Sequence, residues 1–483
     1  MKHICDKKMT FNDCELAILR AAVDEAENKQ GQRITNSPEI KRIIDIVANF
    51  LRKKQLICYG GTAINNILPK QDQFYNKEVE IPDYDFYSNN ALKDAKELAD
   101  IYFSNGFEEV EAKTGQHHGT YKVFVNFIPV ADITYIPKEL FNAIKKEAIK
   151  VSGILYSPPN LLRMNMYLEL SRPAGDISRW EKVLKRLVLL NKNYPLVSKQ
   201  CSDVNFQRKM ENNYFSDKIY EIVQQTLIDQ GVVFFGGYAL SLYSRYMPKD
   251  VKRKLEKIPD FDVLSEEPLL VAEVVKERLN DEDIKHVKII KRPGIGEIIA
   301  PHYEIKVNND TIVFIYEPLA CHSYNIVKDN GEKIKIATID TMLSFWLAFL
   351  YVNRPYYDKD RILCMSNYLF DVQEKNRLAQ KGLLKRFSIS CMGHQQTIEE
   401  MRAEKSEKYS LLKDKPNSNE YEEWFLRYRP SDKEIKGKGK CKGKGTKPED
   451  TETKDTETKD TKTKRKARKN NKTKKRKGLG IFF

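Results

Sequence analysis

Between Ser37 and Leu51 the apolar positions fall at Ile40, Ile43, Ile44, Val47, Phe50 and Leu51, the spacing of one buried face of a helix. Ser37 followed by Pro38 marks its start, because proline lacks the N–H that the first helical turn leaves unpaired. The short continuous run Leu56-Ile57-Cys58-Tyr59 then predicts a buried strand, broken by Gly60-Gly61 into a second helix, Thr62 to Leu68, that ends at Pro69. Asp83 and Asp85 sit in an apolar and aromatic run from Ile81 to Tyr87. Ser88 is placed to cap the following helix, whose apolar face is Ala91, Leu92, Ala95, Leu98, Ala99 and Tyr102. Three strands follow at Phe107 to Ala112, Thr120 to Phe127 and Val130 to Ile136.

The same order is then written again: a helix around Ile219 to Ile228, the strand Val232 to Phe235, Gly236-Gly237, a helix Ala239 to Tyr246, and Asp260-Phe261-Asp262. Ser265 repeats Ser88, and strands at His286 to Lys291, His302 to Val307 and Thr311 to Glu317 complete the copy. Asp260 follows Asp83 by 177 positions and Gly237 follows Gly61 by 176, which argues for a duplicated unit. Residues 151–200 between the copies read as mainly helical. The pattern predicts a mixed α/β (α+β) chain with an N-terminal helical segment (1–36), a first domain (37–150), a helical connector (151–205), a second domain (206–350), a C-terminal helical region (351–430) and a tail (431–483).

A chain of 483 residues supports two to four such domains. Its net charge of +15 suggests a polyanionic partner, but residues 431–483 hold 20 Lys and Arg against 8 Asp and Glu and so carry +12 of it. The remaining 63 basic and 60 acidic residues are nearly balanced, so a nucleic-acid surface on the folded part is expected to be a local patch. The tail has few apolar residues, is expected to be disordered, and suits either RNA tethering or basic targeting. Eight scattered cysteines without a CxxC pair predict neither a zinc site nor a disulfide framework, and hence a reducing compartment. Residues Met1 to Lys7 lack an apolar signal core and the most apolar run, Met342 to Val352, is too short to span a bilayer. A soluble protein, neither secreted nor membrane-bound, is expected.

Residues i and i+2 of a strand face the same way, so Asp83 and Asp85 project two carboxylates together, a site for a hard divalent cation such as Mg2+. If the strand bearing Asp132 lies alongside, a third carboxylate completes a site for two ions that activate a hydroxyl and hold a triphosphate. Gly60 and Gly61, lacking a Cβ, let backbone amides approach phosphates at the start of a helix, and the Thr62 hydroxyl is a further donor. In the second copy the aspartate pair remains, but the pattern puts Val313 where the third acid should be. Glu304 or Glu317 would serve only in a different register. That half is therefore expected to bind RNA or to dimerise rather than to catalyse.

These residues carry a resemblance to the DNA polymerase β-like nucleotidyltransferase superfamily. Tyr59-Gly60-Gly61-Thr62-Ala63-Ile64-Asn65, Pro82-Asp83-Tyr84-Asp85-Phe86-Tyr87-Ser88 and the stretch from Arg163 to Pro173 with Arg179-Trp180-Glu181-Lys182-Val183 resemble the poly(A) polymerase catalytic subunits of large DNA viruses, most closely those of giant amoeba-infecting viruses. The resemblance covers residues 35–350 and implies two tandem nucleotidyltransferase domains, the second degenerate. It implies template-free addition of AMP from ATP to the 3′ end of viral mRNA, with Mg2+ or Mn2+ held by Asp83, Asp85 and Asp132. Gly60, Gly61 and Thr62 would hold the triphosphate, Lys182 and Arg186 would reach phosphates, and Tyr167 would stack on adenine. A homodimer, a viral cap-processing enzyme as partner, and a place in the virus factory of the host cytoplasm or in the virion belong to the same expectation. CCA- or U-adding transferases and a catalytically silent RNA-binding scaffold stay open as alternatives.

Overall fold

Two mixed eight-stranded sheets, each made largely by its own copy of the repeat, form the core of the protein. The computed structural model describes residues 4–432, apart from 7, 77, 197–200, 202–203, 205, 207–215, 256–259 and 330. The Lys-rich tail and the expectations attached to it lie outside the described residues.

The first copy begins with α1 (Phe11–Thr35) and α2 (Pro38–Lys54), the latter burying Ile40, Ile43, Val47, Phe50 and Leu51 as its periodicity requires. Strand β1 (Ile57–Cys58) runs into α3 (Gly60–Ile67), and β2 (Tyr84–Ser88) carries the second aspartate of the pair. Helix α4 (Ala91–Ser104) leads to β3 (Val110–Thr114), β4 (Thr120–Val125) and β5 (Ile128–Tyr135). Ser88 is not the cap of α4, since Asn90 takes that position. Instead the Ser88 hydroxyl accepts from the Asn90 N–H at 2.8 Å and donates to Asp94 at 2.5 Å, which turns the chain into the helix.

Helix α5 (Lys138–Glu147) closes the predicted first domain, and where the mainly helical connector is predicted to begin, a hairpin of β6 (Ile149–Val151) and β7 (Ile154–Tyr156) comes before α6 (Pro159–Leu170) and α7 (Trp180–Asn193). Three-residue strands fall below the length at which alternation is legible. The sheet order is β6-β7-β1-β2-β5-β4-β3, with β7 parallel to β1 and β5 parallel to β2.

The second copy repeats this topology strand for strand. After α8 (Ser216–Asp229) come β8 (Val233–Phe234), α9 (Gly237–Tyr243), α10 (Lys249–Leu255), β9 (Phe261–Leu264), α11 (Pro268–Asp281), β10 (Val287–Arg292), β11 (His302–Val307) and β12 (Asp310–Tyr316). Ser265 repeats Ser88, its hydroxyl accepting from the Glu267 N–H at 3.1 Å. A hairpin of β13 (His322–Asp329) and β14 (Glu332–Ala337) follows, with β14 parallel to β8 as β7 is to β1. The order β13-β14-β8-β9-β12-β11-β10 matches the first sheet position by position. Helix α12 (Ile339–Phe349), the most apolar run, takes the place of α6 and packs against it. All its residues are buried, which is why it is hydrophobic all round rather than on one face.

The C-terminal region adds α13 (Lys359–Lys375), α14 (Ile398–Leu412) and α15 (Asn419–Phe425), but it is not purely helical. Its β15 (Cys391–Met392) pairs with β13 and its β16 (Arg427–Tyr428) with β3, so one short strand covers an edge of each sheet.

Six cysteines are paired, correcting the expectation of no disulfides: Cys5 with Cys14, Cys201 with Cys364 and Cys321 with Cys391, at Cα separations of 5.2, 5.5 and 5.1 Å. Two of these pairs join residues 163 and 70 positions apart, a relation no local spacing rule can detect. Cys58 is buried and unpaired. Non-reducing digestion followed by mass mapping should recover these three linked peptide pairs; cysteines found alkylated without reduction would show that the pairs are thiols in solution.

Candidate active site

The site grows from a close approach of two backbones. Gly60 has φ +71°, and a Cβ placed on it would lie 2.5 Å from Asp85 Oδ2. A side chain there would therefore be strained by the backbone and would drive the carboxylate away. The Tyr59 N–H donates to the Asp85 carbonyl at 2.9 Å, and the Thr62 hydroxyl, 4% exposed, donates to the Asp83 carbonyl at 2.6 Å. Thr62 thus ties the aspartate loop to α3 by its hydroxyl.

Parallel pairing of β2 with β5 puts Asp85 directly beside Asp132, and Asp83 just precedes β2. Burial raises the pKa of Asp83, as does the charge of Asp132. Burial, then the charges of Asp83 and Asp132, push Asp85 up to about 7. Among the described residues, no three acidic, His or Cys side chains converge to hold an ion as they stand. Asp132 is held instead by Lys122, its opposite neighbour on β4, with Nζ to Oδ2 at 2.5 Å. The donor set still fits a hard divalent cation: three carboxylates on adjacent chain segments, crowded enough that their like charge is unfavourable without one.

Helix α7 brings Arg186 to the same place. A Cβ on Gly61 would meet Tyr75 Oη at 2.4 Å and Arg186 Nη1 at 2.8 Å. Lys182, one turn earlier on that face of α7, is exposed. Tyr167 is placed differently, with its ring fully buried on α6 and lining a separate cavity of about 1100 Å³ bordered by α7 and α13. Arg163, also buried, is structural: it donates to Asn191 at 2.7 Å and to the Tyr194 carbonyl, joining α6 to the end of α7. Sequence reading missed Lys122 and Tyr75. Lys122 matters only through its pairing with Asp132, and Tyr75 lies in the long interval between glycine pair and aspartates, whose aromatic Phe74-Tyr75 was its one signal.

The second copy keeps the close approach, since Cβ atoms on Gly236 and Gly237 would lie 2.2 and 2.3 Å from carboxylate oxygens of Asp262 and Asp260. The residue beside Asp262 is Phe314, not Val313. Val313 pairs with Phe261 and is wholly buried, because the pairing runs one residue further on than the pattern suggested. Phe314 packs on Tyr356 with ring centroids 4.6 Å apart. Glu304 stands opposite Phe314, the place Lys122 holds in the first copy, and accepts from Arg292 at 2.9 and 2.5 Å and from Thr311 at 2.6 Å. Glu317 lies beyond the end of β12, so neither glutamate replaces the missing acid. Arg361 Nη1 approaches Asp260 Oδ2 at 3.7 Å, a protein cation where the first copy offers carboxylates.

This architecture defines a class: a mixed α/β fold in two tandem copies, each setting a glycine pair beside an aspartate pair. The crystal structure of the Megavirus polyadenylate synthase matches this fold with a TM-score of 0.72 over 91% of this chain and 92% of that one, at 20% identity. Residues 45–176, which hold Gly60, Gly61, Tyr75, Asp83, Asp85, Lys122 and Asp132, match the family model described as the poly(A) polymerase catalytic subunit. The proteins assigned as that subunit in Acanthamoeba polyphaga mimivirus and in African swine fever virus (strain Badajoz 1971 Vero-adapted) are 26% and 36% identical, over 67% and 34% of this chain. The alignments span 60% and 36% of those two proteins. No helix among the described residues is long and apolar enough to cross a membrane.

The raised pKa of Asp85 sets a testable pH dependence. An aspartate with an unfolded pKa of about 4 and a folded value near 7 favours the native state fully below pH 4, and that contribution is lost as pH rises through 7. Asp85→Asn should therefore raise the Tm of the metal-free protein at pH 8, and the gain should shrink towards pH 4. A Tm that falls at pH 8 in EDTA would contradict the charge crowding.

Proposed function

We propose that the chain is a poly(A) polymerase that transfers AMP from ATP to the 3′ end of viral mRNA without a template. One observation carries this reading: Asp85 and Asp132 in adjacent register, with Asp83 beside them and the Gly60-Gly61 turn against them, inside the segment that matches the poly(A) polymerase catalytic subunit.

The reaction joins the RNA 3′-oxygen to the α-phosphorus of ATP and breaks the bond to the β-phosphate, releasing pyrophosphate. Gly60 and Gly61, with no Cβ, let Asp85, Tyr75 and Arg186 close on the start of α3, where a phosphate group would meet them, and the first N–H groups of that helix have no acceptor within it. Arg186 and Lys182 offer positive charge to the same group from α7. Asp132 receives the proton of the attacking hydroxyl on Oδ2 once Lys122 lets it go. Asp83, Asp85 and Asp132 would hold Mg2+ or Mn2+, which supplies the charge that acidifies the hydroxyl and stabilises the departing pyrophosphate. The second copy, with Phe314 and Arg361 at its centre, serves as an RNA-binding or assembly surface.

Purified protein given an RNA primer and one nucleotide at a time should make long products from ATP alone. Extension by CTP or UTP instead would favour another terminal transferase, and no extension would favour a silent scaffold. Asp83→Asn with Asp85→Asn should lower the rate by about 10²-fold or more, whereas Asp260→Asn with Asp262→Asn should leave most of it. Equal losses in the two double variants would refute the division of labour.

A further inference from the structure

The loop between α3 and β2 does more than connect them. Asn65, 2% exposed on α3, accepts from the N–H groups of Phe74 and Tyr75, both at 2.8 Å, and so holds the loop tip against the helix. From there the Tyr75 hydroxyl reaches Gly61 and meets Arg186, whose Nη2 donates to it at 2.7 Å. The guanidinium also lies over the Phe74 and Tyr75 rings, 4.9 and 5.4 Å from their centroids. Among the described residues no carboxylate lies within ion-pair distance of Arg186, whereas Lys122 is paired with Asp132 and Arg179 with Glu169 at 3.1 Å. Arg186 is held by a neutral oxygen, directly over a glycine whose missing side chain leaves that space to polar atoms.

A phenolic oxygen bonded to an arginine over a helix start imitates one phosphate oxygen without its charge. We propose that the Tyr75 hydroxyl occupies the place of a triphosphate oxygen, engaging Arg186 over the Gly60-Gly61 turn and yielding it when a nucleoside triphosphate binds. Tyr75 thus competes with the triphosphate for Arg186, indifferent to the base. The inference rests on the reading of this site as a nucleotide cradle. It has a definite sign. The hydrogen bond exists only in the empty site, so deleting it destabilises the empty site alone and the nucleotide then binds more tightly. A residue that merely packed the loop, or that touched the nucleotide itself, would act in the opposite direction or not at all.

The test is direct binding, by calorimetry on the full chain with Mg2+, of an ATP analogue whose α,β-bridging oxygen is a methylene. Tyr75→Phe keeps the ring over Arg186 and should lower Kd by about three- to tenfold, the net scale of one typical intramolecular hydrogen bond; KM for ATP in primer extension should fall by the same factor. Arg186→Ala should weaken binding, and adding Tyr75→Phe to Arg186→Ala should change nothing further. An unchanged or raised Kd for Tyr75→Phe overturns the inference while leaving the cradle in place, as does a full effect of Tyr75→Phe without Arg186. Failure of the unmodified protein to bind the analogue at all removes the nucleotide reading itself.

Discussion

The structure depends on a glycine being where an aspartate must come close. Asp85 packs against Gly60 at a distance that excludes any Cβ, and Asp262 does the same against Gly236. That contact sets the height of β2 over the start of α3 and, through parallel pairing, the position of Asp132 on β5. The helix start and the carboxylates therefore share one small volume, where positive partial charge meets negative charge. The second copy keeps the contact without keeping the third acid, so the glycine pair serves the fold as well as the chemistry.

Crowding like charges is unfavourable, and the two copies relieve it differently. In the first copy burial drives Asp85 towards the protonated form, and Lys122 neutralises Asp132, an arrangement that a divalent cation can replace. In the second copy the relief is permanent. An aromatic ring fills the place beside Asp262, Arg361 approaches Asp260, and Glu304 is locked by Arg292 and Thr311, which outweigh the effect of its burial and hold its pKa below the ordinary value. Electrostatics that one half leaves open for a ligand are closed in the other by the protein's own side chains.

Duplication also explains the packing. Each copy ends its sheet with a hairpin and a helix, and those equivalent helices, α6 and α12, lie against each other. Helix α12 has no solvent face at all, and α6 contributes the buried Arg163 and Tyr167 to the same interior. The residues of α6 that resemble a substrate-binding motif are thus partly committed to holding the two halves together.

The repeat, the long helices α2, α4, α6 and α7, and the three carboxylates were legible in the sequence because each is a local pattern: a period, a spacing, a short motif. The β6-β7 and β13-β14 hairpins were not, since the three-residue strands β6 and β7 lack a period and the parallel pairings that place both hairpins join distant segments. The same limit applied to Val313, because choosing between it and Phe314 needs the register of β12 against β9, and one residue of slip moves every side chain to the other face. It applied to the disulfides Cys201–Cys364 and Cys321–Cys391, whose partners lie far apart in the chain, and to Lys122 and Tyr75, which matter only for what they touch. By itself the sequence determined which groups could do chemistry and that they occur in two copies. Only the tertiary structure decided which of them meet, because pairing register and loop placement are set by contacts between segments that no local spacing records.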